Sequence, residues 1–389
     1  MTKKTSGESA KIITSSKTTV FSPFPFLHKI IGVDLAWKKD IVLFDSETEK
    51  LTKISPTVDA IKKFIESLKE QTCLLVETGV GDTLKLLAFR AGHVVLEVSG
   101  KFVKAYRDEH EIEKSDENDA KAICNYYNEI TSNRGSAINL VSKTIGLLPS
   151  PFRLFTEAQR QYTELKILYR DYDKFIRAQT RMKNQAVASK KRLEVVGVEK
   201  SFLAVVEDTD NGIISSYKSK YEELRKLMTK KLEQCEIWTN CLKKMKGFGP
   251  VCAAGLIGEL GSTSPDTFEG AKHYSGLLPN ELVGKKHNHY LKDLFLGEQK
   301  IVSQMILHRI QPWRDVYDNM KVHCAKKHSD WSKIKVERWV RKFVAQKIFK
   351  VVYDEMKKVS HVGEECSIDA AKSSQQNASS PTSHTEVLA

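Results

Sequence analysis

Paired cysteines, long apolar runs and an excess of acid are all missing from this chain of 389 residues. Its seven cysteines, Cys73, Cys124, Cys235, Cys241, Cys252, Cys324 and Cys366, are odd in number, scattered and without a CxxC pair. That pattern excludes a disulfide framework and a cysteine-based zinc site, and predicts reduced thiols in the cytoplasm. No window reaches the ~18–20 consecutive apolar residues of a membrane span, so no membrane partner is expected. The opening stretch, MTKKTSGESAKIITSSKTTVFSPFPF, is basic and Ser/Thr-rich and lacks the continuous apolar core of a secretory signal. Acids are outnumbered: 62 Lys and Arg stand against 49 Asp and Glu, a formal charge of +13. A balance this basic calls for an anionic partner, nucleic acid first and an acidic membrane surface second.

Length and an ordinary 41% hydrophobic content predict two or three domains with at least one full core. Residues 1–28 read as a flexible arm and 361–389 as a disordered polar tail. Between them, residues 29–150 alternate strand and helix signals. KIIGVDLAW and DIVLFDSE are spaced as a hairpin, and LTKIS follows as a further strand. TVDAIKKFIESLKE has helical apolar spacing, TCLLVE is apolar enough for the centre of a sheet, and GDTLKLLAFRAG and HVVLEVS add a helix and a strand. The fold class expected there is α/β, a mixed sheet with helical crossovers laid out as in ribonuclease-H-like nucleases. Residues 151–246 carry heptad-like spacing on both sides of a break at EDTDNG. That predicts either an antiparallel coiled-coil hairpin or two helices of a plain bundle, with Lys231 in the seam. Residues 247–360 read as mostly α, closing on a basic amphipathic helix that buries Val340, Phe343, Val344, Ile348, Val351 and Val352.

Four carboxylates fit one site. Asp34 sits inside the apolar strand IIGVDL, where a carboxylate is costly unless paired or bound to a cation. Glu77 ends the apolar run CLLVE, and ligands bind at the carboxyl ends of strands in alternating α/β sheets. Asp116 and Asp119, in EKSDENDAKAIC, share one helix face about 5–6 Å apart, with Ser115 as the candidate cap. Alone, that pair is the acidic first turn of an ordinary helix. With Asp34 and Glu77 it forms the oxygen set that two Mg²⁺ ions take, with phosphate supplying further ligands.

Downstream, GFGPVCAAGLIGEL has the glycine spacing of a helix-hairpin-helix element. In that reading Gly247, Gly249 and the basic Lys243, Lys244 and Lys246 contact phosphate. The alternative is a tight helix–helix turn whose small residues allow close packing.

Taken in order, GVDLAWKKDIVLFD, VETGVGDTLKLLAFRAGHVVLEVSGKFVKAYRD, KSDENDAKAI, MKGFGPVCAAGLIGELG and YSGLLPNE resemble the insertion-sequence transposases with an Asp-Glu-Asp-Asp catalytic set. This is insertion-sequence family one-ten, which includes the Piv-type DNA invertases. The resemblance runs from about residue 30 to about 357. It implies a RuvC-like N-terminal domain, a coiled-coil middle and a C-terminal transposase domain, with Asp34, Glu77, Asp116 and Asp119 as the catalytic and metal-binding set. It also implies DNA as substrate, a structured bridge RNA as guide, and assembly as a homo-oligomer. The family's serine nucleophile has no counterpart here. No serine occurs between Ser275 and Ser303, Leu282 or Val283 stands near its expected place, and Ser275, a weak candidate nucleophile, lies inside the Tyr-x-Gly-Leu motif itself. The basic run that follows is thin but keeps Lys285 and Lys286. Three functions remain open on these residues: a recombinase, a nuclease in which water replaces the serine, and a domesticated nucleic-acid-binding protein without strand transfer.

Overall fold

The computed structural model describes residues 29–35, 40–133, 151–263, 267–278, 287–298 and 300–378. The expected arm at 1–28 and the positions Leu282, Val283, Lys285 and Lys286 lie outside these residues. The chain divides into two compact units, at Leu154 and Phe155.

In the first unit, β1 (Lys29–Leu35), β2 (Ile41–Asp45) and β3 (Lys50–Ile54) form an antiparallel meander. Helix α1 (Val58–Ser67) starts where the Thr57 hydroxyl accepts the Ala60 amide at 3.3 Å, and it buries Ile61 and Ile65. It leads into β4 (Thr72–Glu77), then α2 (Asp82–Arg90), β5 (Val94–Val98), α3 (Gly100–Glu109), α4 (Asp116–Asn133) and β6 (Phe152–Leu154). The sheet order is β3-β2-β1-β4-β5-β6, with β4 parallel to both β1 and β5. Between Thr72 and Glu77 the run CLLV is accordingly apolar throughout, because both faces of β4 are covered. Cys73 and Leu75 pack with Ala120, Ile123, Cys124 and Tyr127, while Leu74 and Val76 are also fully buried. Strand β6 is too short to leave a pattern in the sequence. It pairs antiparallel to β5, beside a buried ion cluster in which Glu97 meets Lys85 at 2.7 Å and Arg153. Burial opposes ionisation of Glu97, but the two cations outweigh it and hold its carboxyl below the usual range.

Helix α4 reaches the sheet through a glycine. A Cβ on Gly32 of β1 would lie 2.2 Å from the Ala120 carbonyl oxygen and 2.8 Å from Cys124 Sγ. Only a residue without a side chain lets the helix backbone come this close.

The second unit opens on α5 (Glu157–Val196) and α6 (Lys200–Leu232), an antiparallel pair. Thr156 and Gln159 form a reciprocal capping box at the start of α5. The chain reverses at Gly197 (φ +76°), whose left-handed conformation ends α5. The break expected at EDTDNG instead falls inside α6. Solvated polar residues are tolerated on a helix surface, and the single Gly212 costs only about 1 kcal/mol there. The seam holds Tyr172 against Tyr221 (5.8 Å) and Phe175 against Tyr217 (6.2 Å). Lys231 pairs there with the buried Glu164, which Arg160 also grips.

The helical middle and the C-terminal section share one core instead of dividing at 246. After α7 (Glu236–Asn240) come α8 (Pro250–Leu256) and a π-helical turn, Ile257–Gly261. Gly255, Gly258 and Gly261 let this segment lie on α5. A Cβ on Gly258 would be 2.5 Å from the Lys166 amide nitrogen, and one on Gly261 2.7 Å from the Tyr162 ring. Helices α9 (Phe268–Tyr274), α10 (His289–Leu296), α11 (Ile301–Leu307), α12 (Trp313–Lys327) and α13 (Lys333–Ala378) complete the unit. Val340, Val344, Ile348 and Val352 of α13 are fully buried as expected, but Phe343 is half-buried and Val351 is 39% exposed. Those two sit at the margin of the helix's apolar stripe, where rotation carries them out of the core. Helix α13 also continues past residue 360 into the stretch expected to be a polar tail. Among the described residues no helix is long and apolar enough to cross a membrane.

Gly32→Ala should destabilise the first unit by about 1–3 kcal/mol, the range for overpacking a core contact, as read from chemical denaturation.

Candidate active site

The register of the parallel strands brings the first two acids level. Val33 pairs with Val76, and the next residue on each strand is Asp34 on β1 and Glu77 on β4. Both therefore end neighbouring strands on the side where α/β sheets bind ligands. Glu77 lies against the start of α3, close enough that a Cβ on Gly100 would fall 1.7 Å from Glu77 Oε1. The other two acids arrive on α4. Ser115 caps that helix, accepting the Asn118 amide at 3.1 Å through its hydroxyl and the Asp119 amide at 2.8 Å through its carbonyl. The cap and the Gly32–Ala120 contact together fix the first turn of α4 over the end of β1.

The electrostatics show that all four acids belong to one field. Burial pushes the Asp34 carboxyl up to about 6, and the charges of Asp119, Asp116 and Glu77 push the same way. Glu77 is raised by burial and by Asp119, against the opposing pull of Arg107 and Lys114. Asp119 is raised by burial, with Arg107 and Lys114 opposing and Asp116 adding to it. Arg107, on α3, places its Nε 2.8 Å from Asp119 Oδ1; both atoms are buried and face each other without hydrogen-bond alignment. Asp116 lines a cleft of about 370 Å³ with Asp40, Val42 and Lys53, and Lys53 reaches Glu117 at 2.5 Å.

As placed, no three His, Cys, Asp or Glu side chains among the described residues stand at ligating distance of one ion. The charges of Asp119, Asp116 and Glu77 all act on Asp34. Their chemistry nonetheless suits a hard divalent cation, which takes carboxylate oxygens and would relieve the repulsion around Asp34. The cation at hand, Arg107, was missed in the sequence because it lies in a different helix, nine residues ahead of Asp116.

The remaining sequence candidates lie in the second unit. Lys243, Lys244 and Lys246 are exposed, and Lys243 reaches Glu233 at 2.8 Å. Gly249, exposed, precedes Pro250 at the first turn of α8. Gly247 (φ +98°) serves packing, since a Cβ there would meet Met305 at 2.8 Å. Ser275 is fully buried and its hydroxyl donates to the Lys272 carbonyl at 2.9 Å.

The structure adds a buried network that motif reading passed over. Glu259, in the π-helical turn, accepts from Arg170 Nε (2.6 Å) and Nη2 (2.8 Å) and from Asn288 Nδ2 (2.7 Å). Asn288 Nδ2 also donates to the Tyr274 hydroxyl at 2.8 Å. Spaced from 170 to 288, these residues share no local pattern. The π-turn was the only local hint, since such turns concentrate at special sites.

Compared with known proteins, the chain matches no protein-family model and no curated protein sequence.

With its proton affinity raised in the folded state, Asp34 favours folding at low pH and loses that contribution as pH rises through about 6. Asp34→Asn should therefore be more stable than the parent at pH 8 by on the order of 1 kcal/mol, solvent screening included. The gap should close below about pH 4, where the parent's Asp34 is protonated in both states. Urea denaturation across that range in chelator checks it.

Proposed function

We propose that this chain is a DNA transposase or site-specific recombinase of the family one-ten kind, with a RuvC-like first unit and RNA-guided target choice. The observation that carries the proposal is the convergence of Asp34, Glu77, Asp116 and Asp119 at one end of the sheet, where burial and neighbouring acid charge raise the proton affinity of Asp34, Glu77 and Asp119. The sheet supports it, with an antiparallel meander leading into parallel strands and α4 laid across β1. The charge of +13 supports a nucleic-acid substrate.

In this reading Asp34, Glu77, Asp116 and Asp119 hold Mg²⁺, which when bound stabilises the attacking and leaving oxygens of a displacement at phosphorus. The chain's own groups do the rest. Asp34 gives up its proton to become a ligand. Arg107 holds Asp119 on the active face of α4, and the Gly100 turn fixes the Glu77 carboxyl. Lys53, at the cleft beside Asp116, gives an incoming phosphate a counter-charge. Exposed Val195, Val196, Phe202 and Val205 near the α5–α6 turn support homo-oligomer assembly through that arm.

A second reading is a metal-dependent nuclease in which water attacks. It is favoured by the buried, backbone-bound Ser275 and by the lack of any serine from there to Ser303. Purified protein given Mg²⁺, element-end DNA and the RNA that copurifies with it should yield a covalent protein–DNA adduct, formed by a side chain other than the buried Ser275. Asp34→Ala should abolish that adduct. Cut ends with no adduct would select the nuclease, and binding without cleavage, unaltered by Asp34→Ala, would remove both.

A further inference from the structure

Helix α13 carries on its outer side a set of aromatic rings that the core does not absorb. Trp339 is 39% exposed, and it stacks on Phe343 with ring centroids 5.7 Å apart and planes at 11°. Both lie outside the buried core cluster that takes up Val340, Val344 and Ile348 of the same helix. In the connection just before α13, the half-buried Trp331 packs on the edge of the core, stacks on His328 at 4.0 Å and 12°, and meets Trp339 edge to face at 6.5 Å. Lysines interleave with the rings. Lys335 Nζ stands 4.2 Å from the Trp331 centroid, and Lys347 Nζ stands 5.5 Å from that of Phe343.

The surrounding charge is of one sign. Residues 326–350 hold nine lysines and arginines against two acids, Asp330 and Glu337. Glu337 is taken up by Arg341 (2.7 Å), Lys321 (3.1 Å) and the Tyr317 hydroxyl. Lys342, beside the strip, is also pressed by Lys292 of α10, so two like charges crowd one side of it. A membrane-binding helix would turn a broad aliphatic face outward, whereas here most aliphatic residues of α13 point into the core and the exposed Ile334 and Val351 stand far apart along it. Flat rings alternating with ammonium groups match alternating bases and phosphates instead. Stacking on such rings tolerates any base, and the lysines answer the backbone.

We infer that Trp339 and Phe343 of α13, with Trp331 just ahead of the helix and with Lys335 and Lys347, bind an unpaired strand of nucleic acid by base stacking, RNA and DNA alike. A base laid on the open face of Trp339 continues the stack with Phe343, and Lys335 and Lys347 flank it at phosphate level. These residues belong to the second unit, and binding by them does not depend on cleavage.

Binding of an oligothymidylate and an oligouridylate to the full chain, followed by anisotropy in chelator at low salt, tests it. Trp339→Ala should weaken both at least about tenfold, Trp339→Phe should stay within about threefold of the parent, and Asp34→Asn should leave both unchanged. Lys335→Gln and Lys347→Gln should each lower the salt slope by about one. Unchanged affinity in Trp339→Ala, or no difference between the Ala and Phe variants, would overturn the inference. So would a duplex that competes as well as the strand, or a preference above about tenfold for one sugar. A Trp339→Ala effect confined to self-association or to anionic vesicles would likewise overturn it. Loss of DNA cleavage in Asp34→Asn with strand binding retained separates this surface from the proposed catalytic function.

Discussion

The close approach of α4 to β1 at Gly32 is the contact on which the acidic site depends. Because nothing but backbone separates Gly32 from the Ala120 carbonyl, the helix is held at a fixed depth and rotation against the strand. Asp34 follows Gly32 by two residues, and Asp116 and Asp119 precede Ala120 within about one turn. One steric allowance therefore brings a helix-borne pair of acids to the end of a strand that carries a third. The parallel register of β1 and β4 brings the fourth. A side chain at position 32 would lift the helix and disperse the cluster.

Buried acids in this chain follow two different designs. Glu97 is matched by Lys85 and Arg153, Glu164 by Arg160 and Lys231, and Glu259 by Arg170 together with Asn288. Each is a closed arrangement in which paired charge offsets the cost of burial. Asp34 has three acids for neighbours instead, and its carboxyl is driven up to about 6. The same sequence that neutralises its structural acids leaves this one group in conflict. Unrelieved strain of that kind is where function concentrates.

The second unit separates packing from surface in a comparable way. Gly255, Gly258 and Gly261 bring the π-helical turn against α5 and let Glu259 meet Arg170 from within the core. On α13 Val340, Val344, Ile348 and Val352 fill that core while Trp339 and Phe343 remain outside it among lysines. Helix α13 thus supports the fold with one side and offers a ligand surface with the other.

Local chemistry was enough to specify much of this protein. The apolar runs named five of the six strands, apolar residues at helical spacing named the helices between them, and Ser115 announced the start of α4. The four acids were legible as a set because a carboxylate inside IIGVDL or at the end of CLLVE conflicts with its apolar neighbours. What the sequence could not contain was distance. Strand β6, the ion partners of Glu97, the position of Arg107 beside Asp119 and the Arg170–Glu259–Asn288–Tyr274 network all join residues far apart in the chain, where no periodicity operates. The turn at Gly197 was misplaced to EDTDNG because composition marks polarity, whereas a reversal needs a residue that accepts positive φ. Trp339 and Phe343 were likewise beyond the pattern: amphipathic spacing names the apolar residues of a helix, and only the packed neighbours decide which of them face out.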